Sequence, residues 1–220
     1  MDPPPENKTT ENPHATGYAT GYAACTAYIQ LFVHKLWRRV WEGRDEQPLR
    51  IEGDGGAPGI LQKWHDFWHT GPSKIADGLF VGSAADAAYA PNLNRDEITL
   101  VVNVTEDLPN FFEGIGYGSP EYVRVPILDT PDSSFQPHAE AVKAVLQKIK
   151  HVRENGGNVL VHCLMGASRS VSIACLVLME DGTDCIAEAV YAVVKSKRSP
   201  ARINVSFMQD LKDKEQWLLH

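Results

Sequence analysis

Five residues separate Cys163 from Arg169 in the segment Val161-His162-Cys163-Leu164-Met165-Gly166-Ala167-Ser168-Arg169-Ser170. A cysteine attacks as its thiolate, and a nearby positive field favours that charge. A guanidinium is a planar, two-pronged donor that fits two oxygens of a phosphate group. The residues between, Leu164, Met165, Gly166, Ala167 and Ser168, can curl so that successive backbone N–H groups point at one centre. Between a strand and a helix, such a curl makes an anion nest at the helix N-terminus. Gly166 provides the backbone freedom the curl needs. The arrangement suits attack by sulfur on a phosphorus atom held in the loop.

The flanking sequence supplies the elements that must position this loop. Asn158 to His162 (NVLVH) predicts a buried strand entering it. Val171 to Met179 is almost entirely apolar and predicts a buried helix leaving it. Strands are also expected at Leu79 to Gly82, Ile98 to Val104 and Tyr122 to Val125. Val142, Val145, Leu146, Ile149 and Val152 mark one helix face, which Gly156-Gly157 ends. Ile186, Ala189, Val190 and Val193 repeat the helical period, and a last helix from about Asn204 turns Phe207, Met208 and Leu211 inward. Interleaved strands and helices imply an α/β fold, a mostly parallel sheet with helices on both faces.

Composition narrows the function classes. The 220 residues are 43% apolar and 22% charged, which suits a folded core. Lys and Arg total 21 against 28 Asp and Glu, a net charge of −7. That balance argues against a nucleic-acid partner and against binding an anionic membrane through overall charge. No apolar run reaches the ~18–20 residues of a membrane span. The polar, Pro-rich start carries no apolar segment, so no secretory signal is expected. Four cysteines do not make a disulfide framework. The expected location is intracellular, cytoplasmic or nuclear. Cys175 is read as core, Cys25 and Cys185 have no recognisable partner, and a disulfide protecting Cys163 is a further reading.

Residues 71–220 form the expected catalytic unit. Ahead of it, residues 1–23 read as a mobile arm and 24–70 as a helical extension. Ile29, Phe32, Val33, Leu36, Trp37, Val40 and Trp41 form an apolar stripe, with Lys35, Arg38 and Arg39 on the polar side. The stripe suits packing on the catalytic unit or closing a homodimer. Membrane-surface binding or docking of a protein kinase by residues 26–42 are the alternatives. Residues 43–59 read as a linker, and Trp64, Phe67 and Trp68 as a cap on the sheet. His65 and His69 have metal-ligand spacing, but no third ligand stands near, so they read as surface or packing residues.

His162-Cys163-x-x-Gly166-x-Ser168-Arg169-Ser170 resembles the active-site loop of the dual-specificity protein tyrosine phosphatases. Three more blocks resemble that family in order: Ile98 to Thr105 with Pro109-Asn110, then Pro126 to Pro131, then Lys197-Arg198-Ser199 with Ile203-Asn204 and Phe207-Met208. The likeness spans about residues 73–216 and implies a protein tyrosine phosphatase-like fold. It implies hydrolysis of phosphotyrosine and phosphoserine or phosphothreonine in proteins, with no metal or other cofactor. In this resemblance Cys163 is the nucleophile and Arg169 the phosphate clamp. Ser170 assists the departing sulfur. His162 orders the loop and helps keep the thiol ionised. Asp129 is the implied general acid. It lies 34 residues before Cys163, slightly more than the family's usual spacing, whereas Asp132 at 31 fits by count. Local context, a strand and Pro126 ahead of an Asp-Thr-Pro turn, favours Asp129. Rival substrates are a phosphoinositide, an RNA 5′-phosphate or a glucan phosphate. The uncharged Leu164, Met165 and Ala167 lower the inositide reading, and the lack of an evident carbohydrate-binding module lowers the glucan one. A phosphoprotein-binding adaptor is the non-catalytic rival.

Overall fold

A computed structural model describes residues 71–114, 119–182 and 186–218. The expected helix at 26–42, the linker at 43–59, the aromatic cluster at 64–68, His65, His69, Cys25 and Cys185 lie outside the described residues.

Among the described residues, five strands make one sheet: β1 (Ser73–Ala76), β2 (Leu79–Gly82), β3 (Ile98–Asn103), β4 (Glu121–Arg124) and β5 (Asn158–His162), in the order β1-β2-β5-β3-β4. Only β1 runs antiparallel to its neighbour β2; the other pairings are parallel. Apolar side chains alternate between the two faces, as the pleat requires. Leu79, Val81, Leu100, Val102, Val159 and Val161 join one core cluster, and Phe80, Val101 and Leu160 the other. Both faces are thus covered, which is why these strands read as continuous apolar runs. Pairing slips between Ile98 and Leu100, where two steps on β3 oppose one on β5. This bulge puts Ile98 in the second cluster and Leu100 in the first.

On the second face lie the short helices α1 (Ala84–Ala87) and α2 (Ala90–Arg95). On the first face lie α3 (Ala139–Glu154), α4 (Arg169–Glu180), α5 (Ala187–Lys197), α6 (Val205–Lys212) and α7 (Lys214–Leu218), which reach the core through residues such as Val145, Ile173, Val190, Phe207 and Trp217. Helix α3 stops where expected. Gly156 has φ +77°, its N–H bonds the Arg153 carbonyl at 3.0 Å, and Gly157 N–H bonds that of Val152 at 2.9 Å. This is a paired C-terminal cap that needs a left-handed residue. Asn204 caps α6 by accepting from Phe207 N–H at 2.7 Å.

Helix α5 differs from expectation. Ala187, Val190 and Val194 are buried, whereas Ile186 is 60% and Val193 37% exposed. Ile186 is an extended residue ahead of the helix, so the inward stripe starts one residue later. The short elements β1, α1 and α2 carry too few residues for a period to show. No helix among the described residues is long and apolar enough to cross a membrane.

Candidate active site

Strand β5 ends between β2 and β3, and the chain then turns into α4 through residues 163–168. The carboxyl end of a central parallel strand is where this architecture leaves an open crevice. The backbone of the turn is fixed from outside by four parts of the chain. The Leu164 carbonyl accepts from Ala84 N–H at 3.0 Å, and that of Ala167 from Arg202 N–H at 2.7 Å. The Gly166 carbonyl accepts from Arg198 Nε at 2.6 Å. The Ser168 carbonyl accepts from Ser172 N–H at 2.9 Å and from its hydroxyl at 3.0 Å. A planar trans peptide places the next N–H opposite each carbonyl. Drawing these four carbonyls outward therefore turns the N–H groups of Met165, Ala167, Ser168 and Arg169 inward. The loop is a nest of donors at the start of a helix of twelve residues.

Gly166 has φ +64°, and a Cβ there would meet Arg198 Nη2 and would lie 2.5 Å from the Gly82 carbonyl oxygen. Only glycine fits this position without displacing its neighbours. Leu164 and Ser168 are buried, while Met165 and Ala167 are half-buried.

Cys163 is fully buried, with Sγ 3.3 Å from Ser170 Oγ and 3.2 Å from the Gly166 N–H donor. Burial opposes ionisation of the thiol, but the Arg169 charge and hydrogen bonds from the Ser170 hydroxyl and backbone outweigh it. The net result holds Cys163 below the ordinary thiol range, against a smaller opposing effect of Asp129. Cys175, buried without such partners, is pushed up to about 12. Both cysteines are free thiols.

Arg169 is 5% exposed. Its Nη1 donates to the Ile127 carbonyl at 3.0 Å, and its Nε lies 3.3 Å from Asp129 Oδ2, without hydrogen-bond alignment. The first contact fixes the guanidinium plane; the second brings Asp129 to the loop. The Asp129 side chain is 37% exposed, so it meets solvent and loop together. Asp132 sits three residues on, exposed, in a turn closed by Ser133 N–H to the Thr130 carbonyl at 3.1 Å.

His162 lies beneath the loop, fully buried, with Nδ1 3.4 Å from the Cys163 carbonyl and its ring 6.2 Å from that of Phe111. Burial pushes its pKa down to about 4, and the charges of Arg124 and Arg169 add to that. The imidazole is therefore neutral at pH 7. Its contact at this site is therefore that of a neutral ring on the Cys163 carbonyl.

Arg198, Asp86, Asn103 and Arg124 hold this geometry from outside the loop. Arg198, 1% exposed, reaches under the loop to the carbonyls of Gly166 (2.6 Å) and Val81 (3.1 Å), with Nη2 3.8 Å from Asp86 Oδ2. Asp86 in turn closes a capping box with Ser83, accepting its N–H at 2.7 Å. The Ser83-x-x-Asp86 spacing is a readable signal for that cap; Arg198 carried none beyond its place in a family-like block. On the other side, Asn103 donates to the Leu108 carbonyl at 3.0 Å, and Arg124 Nη2 to the same oxygen at 2.6 Å. Together they order the turn after β3.

Comparison with known proteins agrees with this geometry. Residues 79–217 match the family model described as dual specificity phosphatase, catalytic domain. The chain is 36% identical over 148 residues to human dual specificity protein phosphatase 14, covering 67% of this chain and 71% of that one. It is 32% identical over 151 residues to mouse dual specificity protein phosphatase 22, covering 69% and 77%. The crystal structure of DUSP15 superposes with a TM-score of 0.58 at 30% identity, covering 67% of this chain and 88% of that one.

Proposed function

The chain belongs to the dual specificity phosphatase family, and on that premise we propose that it hydrolyses phosphotyrosine and phosphoserine or phosphothreonine in proteins through a phosphocysteine intermediate. The observation that carries this reading is the meeting of the Cys163 thiol, the Ser170 hydroxyl, the Arg169 guanidinium and the Asp129 carboxyl at one inward-facing nest.

The phosphate dianion enters the nest, where the N–H groups and Arg169 neutralise its oxygens. Cys163 sulfur attacks phosphorus in line with the bond to the substrate oxygen. That bond breaks, and protonated Asp129 gives its proton to the leaving oxygen. Water then attacks the phosphocysteine, Asp129 takes the water proton, and the S–P bond breaks to release inorganic phosphate. Ser170, 3.3 Å from Sγ, donates a hydrogen bond to the departing thiolate. His162 orders the loop through the Cys163 carbonyl. The partner implied is a phosphoprotein, a protein kinase among the candidates.

The experiment is phosphate release, in chelator, from phosphotyrosine, phosphothreonine and doubly phosphorylated peptides beside phosphoinositides, with Cys163→Ser as the blank. Turnover of peptides that is lost in the variant supports the reading. Turnover of lipids alone reassigns the substrate, and binding without turnover of anything makes the chain an adaptor.

A further inference from the structure

The segment that carries Asp129 is held at three places. Arg169 Nη1 holds the Ile127 carbonyl at its start. At the tip, Asn204 Nδ2 donates to the Thr130 carbonyl at 3.3 Å and Ser206 Oγ to that of Pro131 at 2.7 Å. At its return, one side chain takes three hydrogen bonds: Asp210 accepts from the Ser134 hydroxyl at 3.0 Å, Phe135 N–H at 2.7 Å and Gln136 Nε2 at 3.1 Å. Asp210 is 3% exposed, on the inner side of α6. Phe135, the residue it grips by the backbone, is fully buried and stacks on Phe207 of the same helix, with ring centroids 4.5 Å apart.

We infer that Asp210 is a positioning residue for the general acid: through its three hydrogen bonds, α6 sets where Asp129 stands over the phosphate loop. This rests on the reading of Asp129 as the acid. The physical reason is geometric. Asp129 is exposed on one side, and its contact with Arg169 at 3.3 Å lacks hydrogen-bond alignment, so that contact alone does not fix it. Its placement must come from the backbone on either side. A carboxylate can accept all three donors at once, because it presents only acceptors. A leucine of similar size accepts none of them and leaves the Phe135 N–H, an obligate donor, without its partner. Proton transfer in the transition state is sensitive to displacements of about an ångström.

The test uses the full chain and compares two substrates. A phosphotyrosine peptide releases a phenol of pKa about 10 and depends on the acid. Dinitrophenyl phosphate releases a far weaker base and depends on it little. Asp210→Leu is expected to lower kcat for the peptide about tenfold or more, with KM and dinitrophenyl phosphate turnover changed less than about twofold. Asp129→Asn should show the same selectivity more strongly, and the double variant should lose no more than Asp129→Asn alone. Ser134→Ala and Gln136→Leu, each removing one donor, should show smaller losses of the same selective kind; they decide the matter if Asp210→Leu does not fold. Equal losses on both substrates, or none, while Asp129→Asn stays selective, would overturn the role of Asp210 and leave the acid assignment standing. An unselective Asp129→Asn would overturn both.

Discussion

Arg198 Nε donates to the Gly166 carbonyl across 2.6 Å, so a side chain 32 positions further along the chain fixes the middle of the phosphate loop. The same guanidinium holds the Val81 carbonyl at the end of β2 and lies against Asp86. It thereby joins loop, sheet and α1 at one buried charge. Burial lowers its pKa, against the opposing charges of Asp86 and Cys163, but an arginine stays charged at any working pH.

Replacing Arg198 with Met leaves the Gly166 and Val81 carbonyls without this donor and removes the ion pair with Asp86. The expected cost is about 3 kcal/mol of stability, read from the denaturation midpoint. A loss of kcat/KM should accompany it at temperatures where the variant is still folded, because the nest loses its outer anchor.

Gly166→Ala tests the nest more locally. The left-handed backbone (φ +64°) and the Gly82 oxygen at 2.5 Å from the added methyl both oppose it. The variant is expected to lose about 1–2 kcal/mol and to bind a phosphate analogue such as vanadate more weakly. Unchanged vanadate affinity would show that the loop tolerates the methyl.

Asp129 and Asp132 are both exposed and separate by contact, since Asp129 is the one that reaches Arg169. Asp129→Ala should therefore reduce turnover of a phosphotyrosine peptide by about 10²-fold or more, whereas Asp132→Ala should change it less than twofold, roughly. Steady-state kinetics on both variants would decide, and the reverse order would move the acid to Asp132.

His162 makes stability depend on pH. Its folded pKa of about 4 lies below the ordinary 6.5, so between these values the unfolded chain binds a proton that the folded chain does not. Stability is complete above about pH 6.5 and falls as pH drops toward 4, by about 3 kcal/mol in all. Urea denaturation at pH 7, 5.5 and 4.5 should show this slope, and His162→Asn should remove that part of it.

Cys163 should alkylate with iodoacetamide at a pH where an ordinary thiol is protonated, because its pKa lies below the usual range. The rate should rise with pH and level off early. Arg169→Ala removes the principal favourable charge and should shift the midpoint upward.

Strands β2 and β5 were legible to the residue, since each is a short apolar run buried on both faces. The ends of α3 and α6 were legible because their caps are local: Gly156-Gly157 and Asn204 act within a few residues. The spacing of Cys163 and Arg169 shows that one turn can bring them together, whereas Ser170 is placed beside them by the family resemblance. The scaffold around that loop could not. Arg198 and Asp210 act across 32 and about 75 positions, onto Gly166 and residues 134–136, and no local pattern announces a partner that distant. The neutral state of His162 was equally hidden, because it follows from burial and not from its neighbours in sequence.

Apart from the Arg169 guanidinium, the donors of the loop are main chain, turned inward because the carbonyls are spoken for outside. Main-chain donors do not depend on the side chains of Met165 and Ala167. Met165 and Ala167, half-buried at the loop, can therefore change what is admitted without changing how firmly the admitted group is held. On the proposed function, affinity for a phosphate and choice among the molecules that carry it are expected to be separable, each open to alteration without the other.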